Sequence, residues 1–365
     1  MCGFIGFTGI LNSKETVLQR MMDRIVHRGP DMGGMYTDED VALGFRRLSI
    51  LDLSEAGAQP LKNEDGTVIV TFNGEIYNFM DLRKELEAKG HTFHCNADTE
   101  VLVHGYEEWG IELVYKLRGM YGFVIWDKEN KRLFGARDIF GIKPFYYYPI
   151  PGNKGLLFGS EIKSFLEHPD FVKQVNEKAL RPYLTFQYSA TEETFFKGVY
   201  KLPAAHYVVY EHGKLTIQRY WDCEFEPQEQ DFEACADKLD ETVHESVQAH
   251  RIADVKVGSF LSGGVDSSYI TACLMPDNTF SVGFDYHKFN ETNYAAELSE
   301  KLGVTNYRKL LTAEECFDAF PDIQYHMDEP QSNPSSVPLY FLAKLAREHV
   351  TVVLSGEGAD EIFAG

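Results

Sequence analysis

From Met1 to about residue 215, short apolar runs alternate with polar turns. Val68-Ile69-Val70-Thr71-Phe72 is rich in β-branched positions and predicts a strand, which the turn dipeptide Asn73-Gly74 should stop. Gly119 to Trp126 and Lys131 to Ala136 predict two more strands, joined by the polar turn Asp127 to Asn130. Helix formers fill Asp81 to Lys89 and Thr99 to Trp109, and each run meets a glycine, Gly90 or Gly110, placed to end it. Strands and helices segregated in this way predict an α+β layered domain.

After about residue 215 the rhythm changes. Cys223 to Asp231 is acidic, contains Pro227 and reads as a linker, and Phe232 to His250 predicts a long amphipathic helix. Strand, glycine turn and helix then alternate: Val255 to Leu261 and Thr279 to Phe284 predict strands, Ser267 to Leu274 and Glu291 to Leu302 helices, and Val350 to Leu354 a last buried strand. This order predicts an α/β domain, a parallel sheet with helices on both faces. The expected domains are 1–215 and 216–365, in keeping with a chain of 365 residues, too long for one ordinary core.

Composition narrows the partners. The formal charge of −21, from 35 basic and 56 acidic residues, suits small-molecule substrates better than a nucleic acid. A phosphate ligand would have to be held by local geometry, meaning backbone amides and a metal. No run of about 18 apolar residues predicts a membrane span. The start, Met1-Cys2-Gly3-Phe4, lacks the features of a signal peptide. The six cysteines are scattered with no CxxC pair, which argues against zinc and redox motifs and makes a reducing cytoplasm the expected compartment.

Two constellations carry chemistry. In the first, Cys2 follows Met1 and precedes Gly3. Removal of Met1 would leave Cys2 a free α-amine, with an unperturbed pKa of about 8, able to serve its own thiol as general base. The plain alternative is a cysteine that merely begins a buried strand. Further blocks stand in order: His27-Arg28-Gly29-Pro30-Asp31, Arg47-Leu48-Ser49-Ile50, Asn73-Gly74-Glu75-Ile76-Tyr77-Asn78, Asp98-Thr99-Glu100 and Arg137 to Pro144. Together they resemble the glutaminase domain of class II glutamine amidotransferases, and RGPD and NGEIYN look most like the asparagine synthetase branch. The resemblance covers roughly residues 2 to 215. It implies an N-terminal nucleophile (Ntn) hydrolase fold, an αββα sandwich of two antiparallel sheets.

The resemblance also implies roles. Cys2 attacks the glutamine amide; the Asn73 side chain and the Gly74 N–H bind the oxyanion, glycine giving close backbone approach and a positive φ. Arg47 receives the substrate α-carboxylate, and Glu75 and Asp98 receive its ammonium. Taken alone, Arg47 reads as a surface ion pair and Asp98 as a helix N-cap. Asp31 and Asp138 read as structural.

In the second constellation, Phe260-Leu261-Ser262-Gly263-Gly264-Val265-Asp266-Ser267-Ser268 follows an apolar strand and opens a helix. Small residues there let backbone amides converge on an anion. The plain alternative is a tight capped turn. The string resembles the pyrophosphate loop of ATP pyrophosphatases, whose domain is Rossmann-like, and implies that Leu261, Ser262, Gly263, Gly264, Asp266 and Ser267 bind ATP. Val282 matches a position that lends its backbone to adenine. Val353 to Glu361 resembles the second ATP motif, with Ser355 and Gly356 at the nucleotide and Glu357 near the activated carboxylate. Asp266 and Asp360 would share Mg²⁺ with the phosphates; the plain alternative for Asp360 is a helix cap.

The implied reaction makes asparagine from glutamine, aspartate and ATP through a β-aspartyl-adenylate. Alternatives are a relative with another carboxylate or a sugar as acceptor, and a glutaminase only. Asparagine synthetases run on for well over a hundred residues past this second motif, so the chain is expected to be a C-terminally incomplete one, with apolar surface left uncovered. A homodimer is an open expectation.

Overall fold

The computed structural model describes residues 1–286 and 290–363. The chain divides into two compact units, Met1–Glu224 and Phe225–Gly365. The strands of the first unit are β1 (Gly3–Thr8), β2 (Met32–Thr37), β3 (Val41–Arg47), β4 (Leu61–Lys62), β5 (Val68–Ile76), β6 (Gly119–Asp127), β7 (Arg132–Arg137), β8 (Tyr146–Ile150), β9 (Gly155–Gly159), β10 (Tyr200–Lys201), β11 (His206–Glu211) and β12 (Lys214–Arg219). Its helices are α1 (Lys14–Asp23), α2 (Phe79–Ala88), α3 (Glu100–Trp109) and α4 (Glu177–Phe186).

The strands form two six-stranded antiparallel sheets, ordered β10-β8-β9-β1-β3-β2 and β12-β11-β7-β6-β5-β4. Phe4, Phe45 and Phe158 of one sheet and Ile69, Val124, Trp126 and Leu133 of the other share a single core, so the sheets lie face to face. Alternate side chains point outward. Ile5, Phe7, Ala42 and Leu157 meet Leu18, Met21 and Met22 of α1. On the other side α3 covers the second sheet, where Tyr106 stacks on Phe134 with ring centroids 5.7 Å apart. Each such fully buried side chain contributes roughly 2 kcal/mol of transfer free energy. The result is the αββα sandwich. Because β1 is buried on both faces, it reads Gly-Phe-Ile-Gly-Phe-Thr with no polar alternation.

One expectation is corrected. β5 does not stop at Asn73-Gly74 but runs through it to Ile76, paired with β6 along its whole length. Gly74 is absent from the positive-φ residues, so it makes no turn. A Cβ on it would lie 2.2 Å from the Met120 carbonyl oxygen. The glycine therefore answers to a close approach of the neighbouring backbone, and ladder hydrogen bonds override the local turn preference. Gly90 and Gly110 do take positive φ, +102° and +57°, just past the ends of α2 and α3. Residue 215 lies inside β12, which pairs with β11, and the first unit continues to Glu224.

The second unit holds α5 (Phe232–His250), β13 (Val257–Phe260), α6 (Val265–Leu274), β14 (Asn278–Phe284), α7 (Thr292–Leu302), β15 (Thr305–Leu311), α8 (Ala313–Met327), α9 (Ser336–Arg347), β16 (Val352–Leu354) and α10 (Ala359–Phe363). Its parallel sheet is ordered β15-β14-β13-β16. Val247 of α5 and Cys273 and Leu274 of α6 pack with Val257 and Leu354 on one face. Ala346 of α9 packs with Phe280 and Val353 on the other. No helix of the described residues is long and apolar enough to cross a membrane.

Candidate active site

Cys2 sits immediately before β1, half-buried, against the core between the sheets. Its backbone carbonyl accepts a 2.8 Å hydrogen bond from Arg28 Nε, and Arg28 Nη1 pairs with Glu161 at 3.0 Å. His27 and Lys163 pair with the same carboxylate, at 2.9 and 2.5 Å. Burial alone would raise Glu161, but the His27 hydrogen bond and the Arg28 and Lys163 charges hold it down at about 2. The Leu48 N–H donates to Cys2 Sγ and the thiol donates to the Leu48 carbonyl, both at 3.4 Å. Burial pushes the thiol pKa up; the Leu48 hydrogen bond, the chain's amino terminus and Arg47 oppose that rise.

A pocket opens beside this sulfur. Cys2, Arg47, Leu48, Gly74, Glu75, Asp98 and Thr99 line it, with Ile50, Leu51, Gly57, Gln59, Phe72 and Ala97. β3 delivers Arg47 at its last residue, β5 delivers Gly74 and Glu75, and Asp98 lies two residues before α3. The Arg47 guanidinium is buried and held by the carbonyls of Ser54 at 2.8 Å, Leu51 at 3.1 Å and Asp52. Those neutral acceptors aim the fork without neutralising it, and among the described residues no carboxylate forms an ion pair with it.

Asp98 accepts from the Ile76 N–H at 2.8 Å and is not the N-cap of α3, which is Thr99. Burial pushes its carboxyl up to about 7, against the backbone amides of Ile76 and Thr99 and the charge of Arg47. A buried cation and a buried carboxyl thus share one wall beside a thiol, an arrangement that fits the carboxylate and ammonium of a free amino acid.

Asn73 is buried, and its Nδ2 has no hydrogen-bond partner. It pairs in register with Gly122, where an added Cβ would meet the Phe4 ring at 3.3 Å, so Asn73 stands on the face of β5 turned toward β1. Asp31 and Asp138 organise loops: Asp31 accepts from the Ser49 N–H, and Asp138 from the N–H groups of Tyr121, Phe140, Ile142 and Lys143. Sequence reasoning missed Gln59, whose side chain bridges the Phe72 N–H and Thr99 Oγ1 at 2.7 and 3.1 Å. It also missed Lys143, whose pKa burial and the Arg28 charge lower; the ammonium also feels Asp138, Glu75 and Cys2. A lysine inside the block Arg137 to Pro144 was the available signal for the second; nothing marked the first.

In the second unit, β13 is followed by the turn Leu261 to Gly264, which leads into α6. Gly263 has φ +91°, and Gly264 is the N-cap, so the turn is tight. Ser262 and Ser267 hydroxyls bond across it at 2.8 Å. A Cβ on Gly356 would lie 2.9 Å from Ser267 N and 3.0 Å from Asp266 Cβ. The loop after β16, with Ser355, Gly356 and Glu357, therefore rests directly on the first turn of α6. β16 joins the sheet on the far side of β13 from β14, which makes this the point where strand order reverses and where open α/β sheets take their ligands. Val282 lies in β14, paired with Lys309 of β15, and Asp360 lies in the first turn of α10.

The sandwich with a cysteine at the head of its central strand, followed by a parallel-sheet unit with paired glycine loops, defines an Ntn-type amidotransferase joined to a synthetase domain. Residues 1–221 match the family described as glutamine amidotransferase domain, and residues 238–365 match asparagine synthase. The chain is 43% identical to Bacillus subtilis asparagine synthetase [glutamine-hydrolyzing] 1, over 100% of this chain and 59% of that protein. It is 32% identical to the putative asparagine synthetase [glutamine-hydrolyzing] 2 of Methanocaldococcus jannaschii, over 100% of this chain and 75% of that one. A solved Bacillus subtilis glutamine phosphoribosylpyrophosphate amidotransferase is 14% identical with a TM-score of 0.46, covering 85% of this chain and 65% of that one. The chain belongs to the glutamine-hydrolysing asparagine synthetase family. It spans about three fifths of the length of the first relatives it matches.

Proposed function

We propose that the first unit hydrolyses glutamine at Cys2 and that the second adenylates aspartate, the two together making asparagine. The observation that carries this is the single pocket that holds Cys2, Arg47 and Asp98. Arg47 takes the α-carboxylate of glutamine, Asp98 and Glu75 take its ammonium, and the side chain then reaches the sulfur. Met1 is 58% exposed, open to removal. The freed α-amine accepts the thiol proton, and the thiolate attacks the amide carbon. The Gly74 N–H and the unpartnered Asn73 Nδ2 bind the oxyanion, a buried donor without an acceptor being what an oxyanion site requires. The α-ammonium gives its proton to the amide nitrogen as the intermediate collapses, so ammonia leaves and a thioester remains, which water converts to glutamate.

In the second unit, Leu261, Ser262, Gly263, Gly264 and Ser267 with Ser355 and Gly356 bind the phosphates of ATP, and Val282 binds adenine through its backbone. The aspartate β-carboxylate attacks the α-phosphorus and pyrophosphate leaves; ammonia attacks the resulting acyl carbon near Glu357 and AMP leaves. Asp266 and Asp360, in the first turns of α6 and α10, offer hard oxygen donors, a set that would fit Mg²⁺ together with phosphate and water. The ion would neutralise phosphate charge. Six free cysteines, one needed as a reactive thiol, suit the cytoplasm, and the net charge of −21 suits small-molecule partners.

The test is Cys2→Ala. Glutamate release from glutamine should fall to background while the thermal midpoint stays within about 2 °C, since truncating a half-buried thiol costs little. Turnover near the wild-type rate would refute the assignment.

A further inference from the structure

We propose that His91, His104 and Glu107 form a binding site for a divalent cation of the zinc class, on the outer helix layer of the first unit and apart from the glutamine pocket. Each side chain offers one ligand atom, and the three atoms lie within 4.8 Å of one another. The fold builds this cluster from two elements. His104 and Glu107 stand three residues apart on α3, and so on one face. His91 follows Gly90, whose φ of +102° turns the chain just past the end of α2. His104 Nδ1 is 2.9 Å and His91 Nδ1 3.6 Å from the same oxygen, Glu107 Oε2. The two imidazole rings are 5.1 Å apart.

Three further features suit a metal. The other oxygen of Glu107 accepts from Asn63 Nδ2 at 2.8 Å, an outer partner that fixes the carboxylate and leaves Oε2 facing the histidines. His104 is 1% exposed, and its Nε2, the nitrogen turned away from Glu107, faces the Glu100 carboxylate at 3.7 Å, an outer partner that orients the ring. The His91 and Glu107 side chains keep 18% and 26% of their exposure, enough for an ion and a water to reach them.

Two imidazole nitrogens and one carboxylate oxygen select zinc-like ions over Mg²⁺ or Ca²⁺, with water in the fourth position. The absence of a CxxC pair bears on thiolate sites only. A bound ion would tie the end of α2 to α3 and staple both ends of the segment 91–104, whose middle carries Asp98.

The test is calorimetric titration of ZnCl₂ into the full chain at pH 8, in a Cys223→Ser, Cys235→Ser background that removes the exposed thiols. The expected result is one saturable equivalent that Glu107→Gln and His91→Ala each weaken at least tenfold, with the zinc-induced rise in thermal midpoint lost in both. The metal-free midpoint of Glu107→Gln reports whether that variant still folds, and His91→Ala, at a partly exposed residue, supplies an independent reading. No saturable equivalent in the parent chain would overturn the proposal, as would undiminished binding in the two variants or equal competition by Mg²⁺.

Discussion

Under the proposed assignment, Asp98 should make glutamine binding depend on pH, weakening it as pH falls. Burial holds its carboxyl at about 7 in the empty pocket. Bound glutamine would place an ammonium against it, and an opposite charge at that range draws a carboxyl well below its free value. Only the ionised form then binds, so the apparent dissociation constant should scale as one plus the ratio of protonated to ionised Asp98. Affinity should therefore fall as pH drops, on the order of tenfold from pH 8 to pH 6. The assay is glutamine binding by calorimetry in the Cys2→Ala chain, which cannot turn over, from pH 5 to 8. Asp98→Asn should bind weakly at every pH, with a flat profile. The empty protein should show the linked effect. The fold retains a proton that the unfolded chain loses near pH 4, so this group's contribution to stability should decline as pH rises from about 4 to about 7. A dissociation constant that changes less than twofold from pH 8 to pH 6, or a profile that survives Asp98→Asn, would refute the reasoning.

Two further outcomes are expected. Gly74→Ala puts a methyl 2.2 Å from the Met120 carbonyl oxygen, so β5 and β6 must part there; stability should drop by about 1–3 kcal/mol and glutaminase activity should fall with it, read by denaturant melts and glutamate release. Asp266→Asn should weaken Mg²⁺–ATP binding at least about tenfold, or about 1.4 kcal/mol, with glutamine hydrolysis unchanged; unaltered nucleotide affinity by calorimetry would count against the phosphate loop.

Cys2, the block containing Asn73 and Gly74, and the glycine loop at Ser262 to Gly264 are legible in the sequence because each answers a local demand. In the proposed roles a nucleophile stands at the chain terminus and amides converge on a phosphate, while at Gly74 a neighbouring backbone comes close. The periodicity of Phe232 to His250 and the glycines after α2 and α3 are local as well, and they mark element ends. The Thr312 to Glu315 capping box that opens α8 is another signal of this kind.

Other features have no local signature. Asn73-Gly74 is a turn by its own preference, and only pairing with β6 keeps it extended. Gln59, Arg47 and Asp98 come from segments far apart in the chain, and only the sandwich brings them to one wall beside Cys2. The upward shift of Asp98 arises from that burial and belongs to no sequence motif. Residue identities and spacing thus determined which chemistry is available. The tertiary structure decided which groups meet and how strongly each holds its proton, because long-range pairing and desolvation exist only once the layers have closed.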